Sequence, residues 1–142
     1  MDAFGFFPDE AEDRSVLSGI RKSLKENGCL LIYNVNGGKI ARNFREFDQE
    51  SKDGVSFSIH RKYDRSACLM EEKIEVFDCN GTNETCVRRQ RLYTADMLVE
   101  ALTGEGYSNI KLFSDFSRER FLDHESSQII LVAKRASTYE PL

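Results

Sequence analysis

Cys29-Leu30-Leu31-Ile32-Tyr33-Asn34-Val35 is a short apolar run, closed in front by Gly28 and behind by Asn36-Gly37-Gly38. A run of this length between glycines reads as a strand buried on both faces. Such a strand needs cover on two sides and neighbours on both edges, which the rest of the chain has to supply. The other long apolar run, Ile129 to Ala133, is its natural pairing partner. Ligands of open α/β sheets gather outside the carboxyl ends of strands, and here that rule points to Asn34 and Asn36.

Upstream, Asp9 can cap a helix and Glu12 can reach back to complete a capping box. Val16, Leu17, Ile20 and Leu24 recur at helical spacing, and Asn27-Gly28 is expected to end the helix with glycine in the left-handed cap conformation. Phe4-Gly5-Phe6-Phe7 is apolar enough to dock rather than hang free. Downstream, Gly37-Gly38 reads as a turn, and Lys39 to Asp53 as a second, weaker amphipathic helix broken by Asp53-Gly54. The period then changes to two. Val55, Phe57, Ile59, Arg61 and Tyr63 alternate with polar residues, as do Cys68, Met70, Ile74 and Val76, interrupted by Glu72. Asn80-Gly81 is a strong turn signal, so residues 55–93 read as an inserted three-stranded antiparallel sheet. Thr94 caps a helix with Met97, Leu98, Ala101 and Leu102 on its apolar face. Asn109 to Phe116 follows as a strand, Ser117 to Ser126 as a charged loop, Gln128 to Lys134 as the last strand, and Ala136 to Leu142 as a frayed tail.

At 142 residues, 40% hydrophobic and 31% charged, the chain is expected to form one domain, residues 1–142, of ordinary globular composition. A net charge of −4 gives no general attraction to nucleic acid or anionic lipid. Arg88, Arg89 and Arg91 make a local basic cluster, yet no stacking aromatics accompany them, so a solvated face is the reading and no nucleic-acid partner is expected. No run is long enough to span a bilayer. Cys29, Cys68, Cys79 and Cys86 match no zinc spacing, and no metal site is expected. Without a secretion signal they read as reduced thiols of a cytoplasmic protein, although Cys79 and Cys86 flank a turn and a bridge there is geometrically conceivable.

The element order, with Phe4-Gly5-Phe6-Phe7, Leu24-Lys25-Glu26-Asn27-Gly28, Arg91-Leu92-Tyr93-Thr94 and Gly106-Tyr107, resembles the carboxyl-terminal half of class I S-adenosylmethionine (SAM) dependent methyltransferases, the small-molecule type above all. In that family the run matching Phe4–Phe7 lies just beyond the fourth strand. A Leu-Lys-x-x-Gly word precedes the fifth strand, and Arg-x-Tyr-Thr leads into the last helix. The resemblance covers about Phe4 to Lys134. It implies an α/β chain equal to the second half of a Rossmann-like fold, a mixed sheet with an antiparallel last strand, plus the inserted sheet. It also implies SAM as cofactor and a small-molecule methyl acceptor. The family's first half, with its glycine-rich turn and ribose-binding acid, has no counterpart in this sequence, and Gly37-Gly38 lacks the spaced third glycine. Three strand–helix units, roughly 90–100 residues, would restore it. A homo-oligomer, or a partner chain supplying that half, is therefore expected.

The resemblance and the strand-end rule together nominate substrate-binding residues: Phe4, Phe6, Asn34, Asn36, Arg91 and Tyr93. Four of them have a plainer alternative. The asparagines also suit turns, Tyr93 also suits packing under the helix, and Arg91 also suits an exposed strand position. Of the two histidines, His124 beside Asp123 is the general-base candidate, because a carboxylate orients and tunes an imidazole; a solvated loop histidine is the alternative. Two functions follow: a methyltransferase half that turns over once completed, or a non-catalytic remnant serving as an interaction module.

Overall fold

The computed structural model describes residues 4–137; the part of the expected tail from residue 138 onward lies outside the described residues, as do residues 1–3. Helix α1 spans Glu10–Ser23. Asp9 caps it by accepting from the Ala11 N–H at 2.9 Å, while Glu12 stays exposed and no reciprocal box forms. Acidic residues in the first turn and Arg21 and Lys22 in the last complement the helix dipole. The helix stops at Ser23, short of Asn27-Gly28, and it is Asn27, not Gly28, that takes the left-handed conformation (φ 59°). Gly28 is required for room instead: a Cβ there would meet the Lys25 carbonyl oxygen at 2.8 Å.

Strand β1 is Cys29–Val35, as the apolar run predicts. It leads into α2, Gly37–Arg42, a short helix that opens on the two glycines expected to form a turn. Strands β2 (Phe47–Lys52), β3 (Val55–Asp64), β4 (Leu69–Phe77) and β5 (Asn83–Arg91) form an antiparallel sheet in the order β2-β3-β4-β5. Helix α3 is Ala95–Gly104, capped by Thr94 as expected. Strands β6 (Tyr107–Phe113) and β7 (Gln128–Arg135) complete a second sheet, ordered β1-β7-β6.

The inserted sheet thus has four strands where the alternation gave three. The second half of the supposed Lys39–Asp53 helix is β2, paired to β3 from Phe47↔His60 to Lys52↔Val55. Asp53 and Gly54 both have positive φ (53° and 79°), the geometry of a tight two-residue hairpin rather than a helix stop.

In the other sheet β1 pairs antiparallel with β7, in the register Cys29↔Lys134 to Val35↔Gln128, so the predicted partnership holds. β7 also pairs antiparallel with β6, which leaves β1 and β6 running the same way. The strand with neighbours on both edges is β7, whose Ile129, Leu131 and Ala133 are fully buried. β1 is not covered on both faces: it lies at the sheet edge, and Leu31 is 53% exposed on the side away from Ile32. Leu17 of α1 and Leu98, Ala101 and Leu102 of α3 form one core with Ile32 and β7. Among the described residues nothing comparable shields Leu31.

Candidate functional site

The carboxyl end of β1 is where the two sheets meet. Asn36 is fully buried and its amide is fully used. Oδ1 accepts from the Lys39 N–H, capping α2, and Nδ2 donates to the Asp123 and Ser126 carbonyls at 2.8 and 2.9 Å. Lys39 Nζ adds bonds to the Glu125 carbonyl and Ser127 Oγ, and Arg42 holds Asp123. The expected charged loop is therefore clamped onto α2, and Asn36 shapes the site's rim rather than offering a free donor.

Beyond that rim lies a cavity of about 460 Å³. One wall is β1, α2 and the segment after it, with Val35, Ile40 and Phe44; the other is the inner face of the inserted sheet. Directly paired strand residues share a face, so the register Arg61↔Glu72↔Arg88 lays three charged side chains in a row. Arg61 Nε donates to Glu72 Oε1 at 2.8 Å and its Nη1 to Asp48; Arg88 donates twice to Glu72 Oε2, from Nε at 2.7 Å and from Nη2. Burial pulls the Arg61 pKa down, but hydrogen bonds and attraction to Glu72 and Asp48 outweigh it and leave it raised. Both carboxylates are thus paired with guanidinium groups. The next row is Tyr63↔Met70↔Gln90. Gln90 lines the cavity, is 2% exposed, and its Nε2 has no hydrogen-bond partner.

A second polar cluster lies within the core. Asp13, on the buried side of α1, accepts from Arg91 Nη1 at 2.7 Å and from the Tyr93 hydroxyl at 2.9 Å through one oxygen. Arg91 also donates to the Pro8 carbonyl, and its backbone N–H to Gly5. The Tyr93 ring packs on Phe4 with centroids 4.9 Å apart. Burial first, then the bond to Asp13 and its charge, push the Tyr93 phenol pKa well up. This cluster fastens the 4–8 segment to α1 and to the end of β5.

The nominated residues therefore part company. Asn36 borders the cavity; Phe4, Arg91 and Tyr93 come together in the buried anchor, with Arg91 buried rather than exposed. Asn34 is wholly buried with both side-chain polar atoms unpartnered. Phe6 is 41% exposed and lines a separate hollow with Leu69 and Val87. His124 is exposed and outside the cavity, and Asp123 engages Arg42 rather than the imidazole. The basic cluster is also split: Arg88 pairs with Glu72, Arg89 with Glu71 and Arg91 with Asp13. Among the described residues no group of His, Cys, Asp or Glu is placed to hold a metal ion, and all four cysteines are free thiols. No helix of the described residues is long and apolar enough to cross a membrane.

Sequence reasoning missed Asp13, Asp48, Glu72 and Gln90. For Glu72 the signal was present, since a carboxylate stood where the alternation called for an apolar side chain, directly opposite Arg88 on the next strand. Asp13 stood one helical turn before Leu17, on the same stripe.

No protein-family model matches the chain, and no curated protein does. Solved structures do match. The methyltransferase CcbJ of Streptomyces caelestis is 18% identical with a TM-score of 0.82, over 92% of this chain and 56% of that one. A SAM-dependent methyltransferase of Clostridium acetobutylicum gives 0.83 at 15% identity, over 96% and 56%. The sugar N-methyltransferase KedS8 of Streptoalloteichus gives 0.60 at 15% identity, over 96% and 54%. The chain thus has an α/β fold like part of a class I small-molecule methyltransferase, and it spans little more than half the length of these structures.

SAM is the cofactor of that fold class, and Gly37 does not fit it. Close backbone approach to a nucleoside cofactor takes glycines whose open side faces the ligand. The open side of Gly37 faces its own chain: a Cβ there would meet Leu92 C and Tyr93 O at 2.5 and 2.6 Å.

Proposed function

We propose that this chain is the acceptor-binding half of a SAM-dependent methyltransferase that methylates an O or N atom of a small molecule, with the cofactor-binding half supplied by a longer polypeptide or a partner chain. The observation that carries this reading is the cavity between the carboxyl end of β1 and the inserted sheet. Its place obeys the strand-end rule for α/β sheets. The resemblance in fold to methyltransferases, a sugar N-methyltransferase among them, supports the same reading. Methyl transfer needs an acceptor held in line more than it needs acid–base chemistry. What these residues supply is in keeping: apolar walls, a rigid charged row and a clamped rim that position an acceptor, with no free carboxylate or imidazole inside. The four free thiols suit a cytoplasmic protein.

Titration calorimetry with SAM tests the reading, on this chain alone and mixed with a class I amino-terminal half. Heat only in the mixture is the expected result. No heat in either case removes the enzyme.

A second reading is favoured by one observation, the bare Leu31 on an unpaired strand edge. In it the chain is a non-catalytic interaction module. Saturable binding of another protein by this chain, with no SAM binding in any mixture, would select it.

A further inference from the structure

We infer that the cavity takes an anionic acceptor: a carboxylate or phosphate monoester carried on an apolar body. This rests on the reading of the cavity as the acceptor site, and it adds the ligand's charge. Four basic side chains line the cavity, Lys39, Arg45, Arg61 and Arg88, against two acidic ones, Asp48 and Glu72. The acidic pair is consumed by Arg61, Arg88 and Arg45. Positive charge remains in excess along the cleft.

A second observation points the same way. Gln90 Nε2 is a buried donor with no acceptor among the described residues, and such groups are rare because a donor left unpaired in the interior destabilises the fold. It adjoins the Arg61–Glu72–Arg88 row, one pair of residues along the same sheet face. An oxyanion matches the excess charge and gives this donor an acceptor once the Gln90 amide turns toward the cavity, whereas an ammonium would oppose both. Val35, Ile40, Phe44 and Met70 define the other requirement, an apolar body.

The test uses the whole 142-residue chain, amide resonances as readout, and three probes of one shape: phenyl phosphate, benzoate and benzyl alcohol. Saturable shifts at Arg45, Arg88 and Gln90 are expected with at least one acid, and the tighter acid tells phosphate from carboxylate. Benzyl alcohol should bind at least about tenfold more weakly, as loss of a charge-assisted bond implies. Gln90→Leu should weaken acid binding by about tenfold while leaving the melting temperature unchanged or raised, since it removes an unsatisfied polar group. Arg45→Glu, at a side chain that is 73% exposed, should do the same without loss of fold. Equal binding of the alcohol, acid shifts confined to other surfaces, or Gln90→Leu binding acids as wild type would each overturn the proposal. Acid binding here without any SAM binding in the calorimetric mixture would remove the enzyme yet keep the anion site. Methyl transfer to a neutral acceptor that competes for the cavity would do the reverse.

Discussion

At the residue scale, the Asp13–Arg91–Tyr93 cluster is the sharpest consequence of this sequence. A wholly buried carboxylate is tolerated because a guanidinium and a phenol both donate to it. Asp13→Ala removes one partner and strands the buried Arg91 charge, so urea unfolding should report a loss of about 3–5 kcal/mol. Tyr93 makes the same contact visible in pH. Its folded-state pKa is raised above its ordinary value of 10.0, so the folded protein holds the phenolic proton more tightly than the unfolded chain. That stability is fully present below pH 10 and is lost as pH rises beyond it, by up to about 1.4 kcal/mol per unit. Melting temperatures between pH 9 and 11.5 should fall more steeply for wild type than for Tyr93→Phe; parallel curves would deny the phenol this role. Gly37 is a different constraint. A Cβ would press on the Leu92–Tyr93 backbone at 2.5–2.7 Å, which cannot swing aside as a side chain can. Gly37→Ala should therefore destabilise by about 1–3 kcal/mol, measured the same way, and loosen the end of β1.

At the scale of elements, legibility followed hydrophobic pattern. α1, α3, β1 and β7 were readable because Leu17, Leu98, Ile32 and Leu131 stand at the period of their element and share one core. β2 was not, because Asp48, Gln49, Glu50, Ser51 and Lys52 carry no apolar alternation; an edge strand of a solvated sheet needs none. Its only signal was Asp53-Gly54, which serves as well for a hairpin as for a helix stop. Of the charge placement, Glu72 was legible as a break in the alternation and its partners were not. Arg61, Glu72 and Arg88 become a row only when the register sets them side by side, and register follows from turn lengths that sequence leaves loose. The row also predicts how the sheet fails. Glu72→Ala leaves two guanidinium groups facing each other across β4, with Arg61 largely buried. The expected cost is about 3 kcal/mol, greater than that of Glu71→Ala on the exposed face, where the pair with Arg89 is worth about 0–1 kcal/mol. Thermal melts of the two variants side by side decide it.

At the scale of the molecule, β1 lies at the edge of its sheet. An unpaired strand edge beside an exposed leucine is a template for another strand, and proteins that keep such edges free protect them with charge, proline or a bulge. β1 has no charged residue and no proline from Cys29 to Val35, and its register with β7 is unbroken. Tyr33 finds partial cover from Phe116, which is itself 73% exposed, so the shield needs shielding. The chain is therefore expected to associate, with itself when alone and with a cofactor-binding half when one is present. Light scattering over a concentration series should show mass rising above that of a single 16.3 kDa chain. Leu31→Lys puts a charge in the middle of the edge at a side chain that makes no core contact, and it should restore the monomer without lowering the melting temperature. A clean monomer of the unaltered chain at high concentration would mean that the edge is protected by something other than pairing, and the need for a completing half would lose its physical basis.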